Sequence, residues 1–207
     1  MKFAILAAGN IANSMAEAVS GIDAVEKYAV ACREIERAKK FADKWDFEKA
    51  YGSYEEMLED PEVELVYVAS PHSHHYQHTK MCLEHGKHVL VEKAFTVNAK
   101  QAEELIRMAK DKGLLLAEAI WTRYMPSRKM IDEIVDSGVI GKVTSLTANL
   151  GYVLPHVERM QKPELAGGAL LDLGVYPINF ALMAFHEDVQ NITSTAVLSP
   201  AGIDWMN

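Results

Sequence analysis

Between residues 3 and 117 the sequence repeats one alternation: a short apolar run, a turn, then a stretch with helical spacing. The runs at residues 3–7, 28–32, 65–69, 89–91 and 114–117 are short and nearly free of polar side chains. Strands covered on both faces read this way. Between them, residues 11–19, 34–44, 54–59, 72–84 and 98–112 carry helix patterns. In the last of these Ala102, Leu105, Ile106 and Ala109 share a face, and Gly113 supplies the stop. Strands that alternate with helices must cross over between parallel neighbours. The expected fold is therefore α/β, a doubly wound parallel sheet.

After Glu118 the rhythm changes. Residues 123–137 read as a helix. Residues 143–152 alternate, with Val143, Ser145 and Thr147 set against Thr144, Leu146 and Ala148, as in a half-exposed antiparallel strand. Gly167-Gly168 opens an apolar helix that runs to residue 185, residues 192–198 form another strand, and residues 203–205 begin a third. The expected division is a first domain over 1–118 and a second, α+β domain over 119–207 with a mainly antiparallel open sheet. A sheet that stops as its third strand begins has an unfinished core, so the chain reads as C-terminally truncated.

Composition excludes several classes. A net charge of −8 over 207 residues argues against a nucleic-acid binder that works by neutralising phosphates. Cys32 and Cys82 each fall inside an apolar pattern and read as reduced core residues, which fits a cytoplasmic protein. The apolar run after Lys2 is too short for a signal peptide and is interrupted by Gly9-Asn10. No later stretch reads as a membrane span.

Five places are candidates to carry chemistry. Ala7-Ala8-Gly9-Asn10-Ile11-Ala12 has the layout of a dinucleotide-binding turn, with Gly9 giving close backbone approach and Ala12 close helix–strand packing. Ala7 stands where the first glycine is usual and serves if its φ is negative. At the end of the second strand, where the ribose is read, stands Arg33, with Arg37 one turn on; this favours NADP over NAD. Glu92-Lys93 ends the run 89–91, at the carboxyl edge where open sheets bind ligands. Asp172 and Tyr176 are spaced i,i+4 on an otherwise apolar helix and are expected on one face. The histidines His72, His74, His75 and His78 invite a zinc reading, but no acid or cysteine lies close in sequence to complete a ligand set. No metal site is expected.

Taken together these motifs resemble the Gfo/Idh/MocA family of nicotinamide-dependent oxidoreductases. Ala7 to Ala12 is similar to its glycine turn, Cys32-Arg33 to its Ser-Arg pair, and Ser70-Pro71-His72 with His75 to its Thr-Pro-Asn-x-x-His loop. Glu92-Lys93-Ala94 is similar to its Glu-Lys-Pro signature with Ala for Pro, and Asp172 to Tyr176 to its Asp-x-Gly-x-His/Tyr motif. The segment 118–126, with 167–176, resembles the dimeric dihydrodiol dehydrogenase branch.

The resemblance implies a Rossmann domain followed by a substrate and oligomerisation domain, and hydride transfer between nicotinamide and a carbinol or carbonyl carbon of a sugar or cyclic diol. It implies Tyr176 as acid/base, helped by the Lys93 ammonium, with Asp172 orienting the substrate or Lys93. A free phenol titrates near ~10, and a neighbouring cation lowers that value. It places Ala7, Gly9, Asn10, Ile11, Cys32, Arg33, Ser70, His72, His75, Glu92 and Lys93 toward the cofactor, with Trp121 and Arg123 near the pocket wall. The expected cofactor is NADP, with NAD as the alternative. The expected partners are a small molecule and a second copy of the chain held through the C-terminal sheet, not nucleic acid or membrane. Two rival readings are an NADP-binding module without turnover and a zinc hydrolase built on the histidines.

Overall fold

The computed structural model describes residues 1–154, 156–185 and 188–207, and it divides into two compact units, Met1–Ala119 and Ile120–Asn207.

In the first unit the chain runs β1 (Lys2–Leu6), α1 (Asn10–Val19), β2 (Glu26–Ala31), α2 (Ile35–Trp45), β3 (Lys49–Tyr51), α3 (Tyr54–Glu59), β4 (Leu65–Val68), α4 (His72–Glu84), β5 (His88–Val91), α5 (Ala99–Lys112) and β6 (Leu116–Glu118). The six strands form one sheet in the order β3-β2-β1-β4-β5-β6, parallel throughout. That order reverses direction between β1 and β4, the switch point at which doubly wound sheets open a ligand crevice. Register carries the carboxyl ends to one edge, because Leu6 pairs with Val68, Val68 with Val91, and Val91 with Glu118.

Side chains alternate between faces with period two, so each apolar run supplies two cores. Ala4, Leu6, Val66, Val68, Val89 and Val91 meet Leu83 and Leu105 on one face. Phe3, Ile5, Val30 and Tyr67 meet Ala12, Ala16 and Phe41 on the other. Each large apolar side chain so buried contributes about 1.5–3 kcal/mol.

A polar rivet joins the strands at the far side. Asp60 Oδ2 accepts from Tyr28 Oη at 3.0 Å, Lys49 Nζ at 2.8 Å and Tyr51 Oη at 2.6 Å. The Lys87 ammonium donates to the Asp60 backbone carbonyl at 2.7 Å.

The apolar runs at 3–7, 28–32, 65–69 and 89–91 all appear as strands within one or two residues. Two details differ. β3 was not expected, and the run at 114–117 pairs as Leu116–Glu118. The shift has a cause: Gly113 adopts φ +65° and the Leu114 N–H still closes on Ala109, so the strand cannot begin until the helix has ended.

The second unit holds α6 (Pro126–Asp136), preceded by a 3-10 turn at Trp121–Tyr124, then α7 (Val175–Phe185), β7 (Val197–Leu198) and β8 (Asp204–Met206). A π-helical turn at Leu170–Gly174 leads into α7. Three expectations are corrected here. Residues 143–152 form no strand. Alternation marks a face but supplies no partner, and no described residue pairs with this segment. The strand expected over 192–198 shrinks to β7, which pairs antiparallel with β8. Finally, Pro163–Phe185 spans 23 residues at mean hydropathy 1.4, so by length and composition one stretch does match a membrane span. Core helices of water-soluble proteins pass the same test, and this one carries Asp172 in a salt bridge to Arg159.

Candidate cofactor and proton-transfer sites

The β1–α1 turn has the features of an anion cradle. α1 begins with Gly9 at its N-cap and no side-chain cap, leaving its first N–H groups for another acceptor. A Cβ at Gly9 would meet nothing within 4 Å, so the surface above the turn is open. Ala12 is fully buried against the sheet, which gives the close helix packing expected of it. Asn10 and Ile11 are exposed at the mouth. Ala7 departs from expectation, because its φ is +75° rather than negative. The left-handed turn that glycine would make freely is made here by an alanine, at a cost of about 1–2 kcal/mol.

Beside the turn, Cys32 is buried at the end of β2 while Arg33 and Arg37 are exposed. Among the described residues neither arginine has an ion pair. Their positive charge is felt by Tyr54, whose phenol burial pushes up and both arginines pull down. An open helix N-terminus flanked by two uncommitted guanidiniums fits a dinucleotide carrying an additional phosphate.

At the ends of β4 and β5 the side chains hold the backbone of the next loop. Tyr67, buried in β4, donates from its hydroxyl to Glu92 Oε1, and Glu92 Oε2 accepts from the Lys93 N–H at 3.1 Å. Burial raises the Glu92 pKa and the nearby Glu118 charge adds to that; the Tyr67 hydroxyl, the Lys93 N–H and the Lys93 ammonium oppose it. Glu118, at the end of β6, accepts from the Phe95 N–H at 2.8 Å. Lys93 therefore sits in a loop pinned on both sides. Tyr67 and Glu118 were not singled out from sequence, although a tyrosine inside an apolar strand needs a buried partner for its hydroxyl.

The histidines are committed to hydrogen bonds. His75 is fully buried, with Nδ1 2.7 Å from the Ala94 carbonyl and Nε2 2.7 Å from the Ser70 carbonyl. Its side chain has no exposed surface and meets the backbone on both sides. Its pKa is lowered to about 4 by burial, against the two carbonyls, which raise it. His78 Nδ1 is 2.9 Å from Ser70 Oγ, and its pKa is likewise lowered to about 4, chiefly by burial. His72 is nearly buried with its ring 5.6 Å from that of His75. His74 stacks on His78 at the surface. Among the described residues no three His, Cys, Asp or Glu side chains are placed to hold a metal ion.

In the second unit Asp172 and Tyr176 meet different partners. The turn that leads into Tyr176 is π-helical. Asp172 is buried at 1% exposure, and its Oδ1 accepts from Arg159 Nε at 2.7 Å and Nη2 at 2.6 Å. Arg159 lies 13 positions upstream and no local signal marked it. Gly167 and Gly168 admit this close approach, since a Cβ at Gly167 would fall 2.2 Å from the Arg159 carbonyl and one at Gly168 would fall 1.9 Å from the Asp204 carboxylate.

Tyr176 instead lines an apolar cavity of about 280 Å³ with Thr122, Met125, Arg128 and Phe180. Trp121 Nε1 donates to the Tyr176 hydroxyl at 3.2 Å, and Arg123 Nη1 donates to Asn179 Oδ1 at 3.5 Å. Trp121 and Arg123, expected near the pocket wall, are thus tied to α7 but do not line this cavity.

Residues 1–119 match the GFO_IDH_MocA oxidoreductase family, whose domain is an NAD-binding Rossmann fold. The chain belongs to this family. Residues 129–204 match a GFO/IDH/MocA C-terminal domain. Among curated family members, the chain is 38% identical to trans-1,2-dihydrobenzene-1,2-diol dehydrogenase of Mus musculus, over 99% of this chain and 62% of the relative. It is 43% identical to D-xylose 1-dehydrogenase (NADP(+)) of Hypocrea jecorina, over 90% of this chain and 54% of the relative. Among solved structures it resembles a 3-ketoreductase from Actinomadura kijaniata in complex with NADP and TDP-benzene, with a TM-score of 0.78 and 32% identity, over 88% of this chain and 57% of the other. The chain spans about three-fifths of the length of the mouse relative, 62%.

Proposed function

We propose that this Gfo/Idh/MocA chain is, or is part of, an NADP-linked oxidoreductase that moves a hydride between the nicotinamide and a carbinol or carbonyl carbon of a sugar or cyclic diol. The observation that carries the reading is the open N-terminus of α1 beside the exposed pair Arg33 and Arg37. The relatives named as diol and xylose dehydrogenases support the substrate class, and the NADP named with the xylose dehydrogenase and with the 3-ketoreductase structure supports the cofactor. When bound, the nicotinamide supplies the hydride chemistry.

The chain's own residues have the remaining tasks. The first N–H groups of α1 hold the pyrophosphate, and Arg33 takes the 2′-phosphate. Tyr176 is assigned the proton transfer, and the Lys93 ammonium the stabilisation of developing charge. Trp121 donates to the Tyr176 hydroxyl and holds it in one orientation. Asp172 supports the start of α7 through Arg159 rather than touching substrate. A cytoplasmic homodimer with no nucleic-acid or membrane partner completes the proposal.

The test is a fluorescence titration with NADPH and NADH side by side, followed by turnover on a panel of sugars and cyclic diols. Lys93→Met and Tyr176→Phe should each cut turnover by ~10²–10⁴-fold with NADPH affinity retained. Near-normal rates in both variants would remove the assignment, and NADPH binding with no turnover in the parent would leave only a binding module.

A further inference from the structure

The loop that carries Lys93 leaves the sheet abruptly. The Glu92 N–H still donates to the Val68 carbonyl at 3.1 Å, and beyond it the ladder stops. From there to α5 the backbone is held mainly by side chains: Lys93 N–H by the Glu92 carboxylate, Phe95 N–H by Glu118, and the Ala94 carbonyl by His75. Of these holders only His75 reaches across from another layer, since it stands on α4 with a carbonyl 2.7 Å from each ring nitrogen.

We propose that His75 is a positioning residue that aims Lys93, by donating its Nδ1–H to the Ala94 carbonyl. This rests on the role given to Lys93 above. Both N···O distances are 2.7 Å and the ring has no exposed surface, so water cannot take its place. Ala94 is itself 3% exposed, so its carbonyl has little solvent to fall back on. The residue at 94 is free of the ring constraint a proline would bring, and the imidazole supplies the restraint from outside the loop.

The tautomer decides which carbonyl the ring holds. A neutral imidazole has one N–H to give, and two carbonyls compete for it. Burial keeps the ring neutral near pH 7. The proton that serves the loop is on Nδ1, facing Ala94, and hydride transfer suffers when Lys93 moves by even about 1 Å.

This predicts an asymmetry between two amide replacements. In His75→Asn the amide nitrogen reaches the place of Nδ1, whereas in His75→Gln it reaches that of Nε2. Amide hydrogen exchange of residues 92–96 in the cofactor-free full chain should stay within about threefold of the parent in His75→Asn. It should rise by roughly tenfold or more in His75→Gln and His75→Ala, with the amides of β1 and β4 unchanged. Turnover should follow the same order, falling about 10–100-fold in the Gln and Ala variants with NADPH affinity kept. Equal loss in Asn and Gln, faster exchange spread over the whole first unit, or an unchanged loop in all three would overturn the proposal. Lys93→Met separates this from the reading it rests on. If that variant turns over normally the role of Lys93 fails, while the exchange data still decide whether His75 holds the loop.

Discussion

The hydroxyl of Tyr67, in the middle of β4, donates to the carboxylate of Glu92, the first residue past β5. It is a contact between the inside of the sheet and its functional edge. Glu92 is largely buried and its pKa is already raised, so the phenol is one of few groups that offset its desolvation. Tyr67→Phe should cost about 1–3 kcal/mol in urea unfolding at pH 7, as for a buried acceptor left short of a donor. Phe fits the same space, so a loss below about 0.5 kcal/mol would show the bond to be dispensable.

Ala7 carries a left-handed φ of +75° that a glycine would take without strain. Ala7→Gly relieves the clash of Cβ with the backbone but adds freedom to the unfolded chain, so the net gain should be small, about 0.5 kcal/mol. Ala7→Val should lose about 2 kcal/mol or more, since a β-branched residue tolerates this φ poorly. Thermal melting of the two variants measures both. Equal melting temperatures would mean that the turn relaxes.

Asp60 makes stability depend on acid. Burial raises its carboxyl pKa, but the Lys49 ammonium, the Tyr51 and Tyr28 hydroxyls and the Glu62 N–H outweigh that and hold it well below the usual carboxylate range. A folded value below the unfolded ~3.9 means that the contribution is complete above the unfolded value and is lost as pH falls through the folded one. Stability should therefore decline below about pH 5. Asp60→Asn should lower stability at pH 7 by about 2 kcal/mol and flatten that acid limb. A parallel pH profile in the variant would contradict the assignment.

Arg33 should decide the cofactor. Arg33→Ala should weaken NADPH by about 10–100-fold, as expected for a lost charge-assisted contact, and leave NADH nearly unchanged. Side-by-side titration reads the ratio, and equal weakening of both would place Arg33 elsewhere in the site.

How much of this was legible in the sequence depended on the range of the interactions. The runs that became β1, β2, β4 and β5 are covered on both faces, so composition alone marked them. β3 is three half-buried residues, one of them Lys49, and has too little apolar content to stand out. Residues 143–152 alternate as a strand should, yet pairing needs a second strand and pattern cannot promise one. At the site, Glu92-Lys93 stood out because charge follows an apolar run directly. The sign of φ at Ala7 was not readable, because it is set by the path between β1 and α1. The partner of Asp172 was not readable for a different reason: Arg159 approaches it from a separate segment.

The two cysteines turn this burial into a built-in reporter. Cys82 has no exposed surface on the inner side of α4, and burial pushes its thiol pKa up; Cys32 is 4% exposed at the end of β2. A thiol reagent can reach Cys82 only while α4 is away from the sheet, so its alkylation rate counts those excursions directly. Without any added probe, the chain thus carries a clock for the opening of the same helix that bears His75.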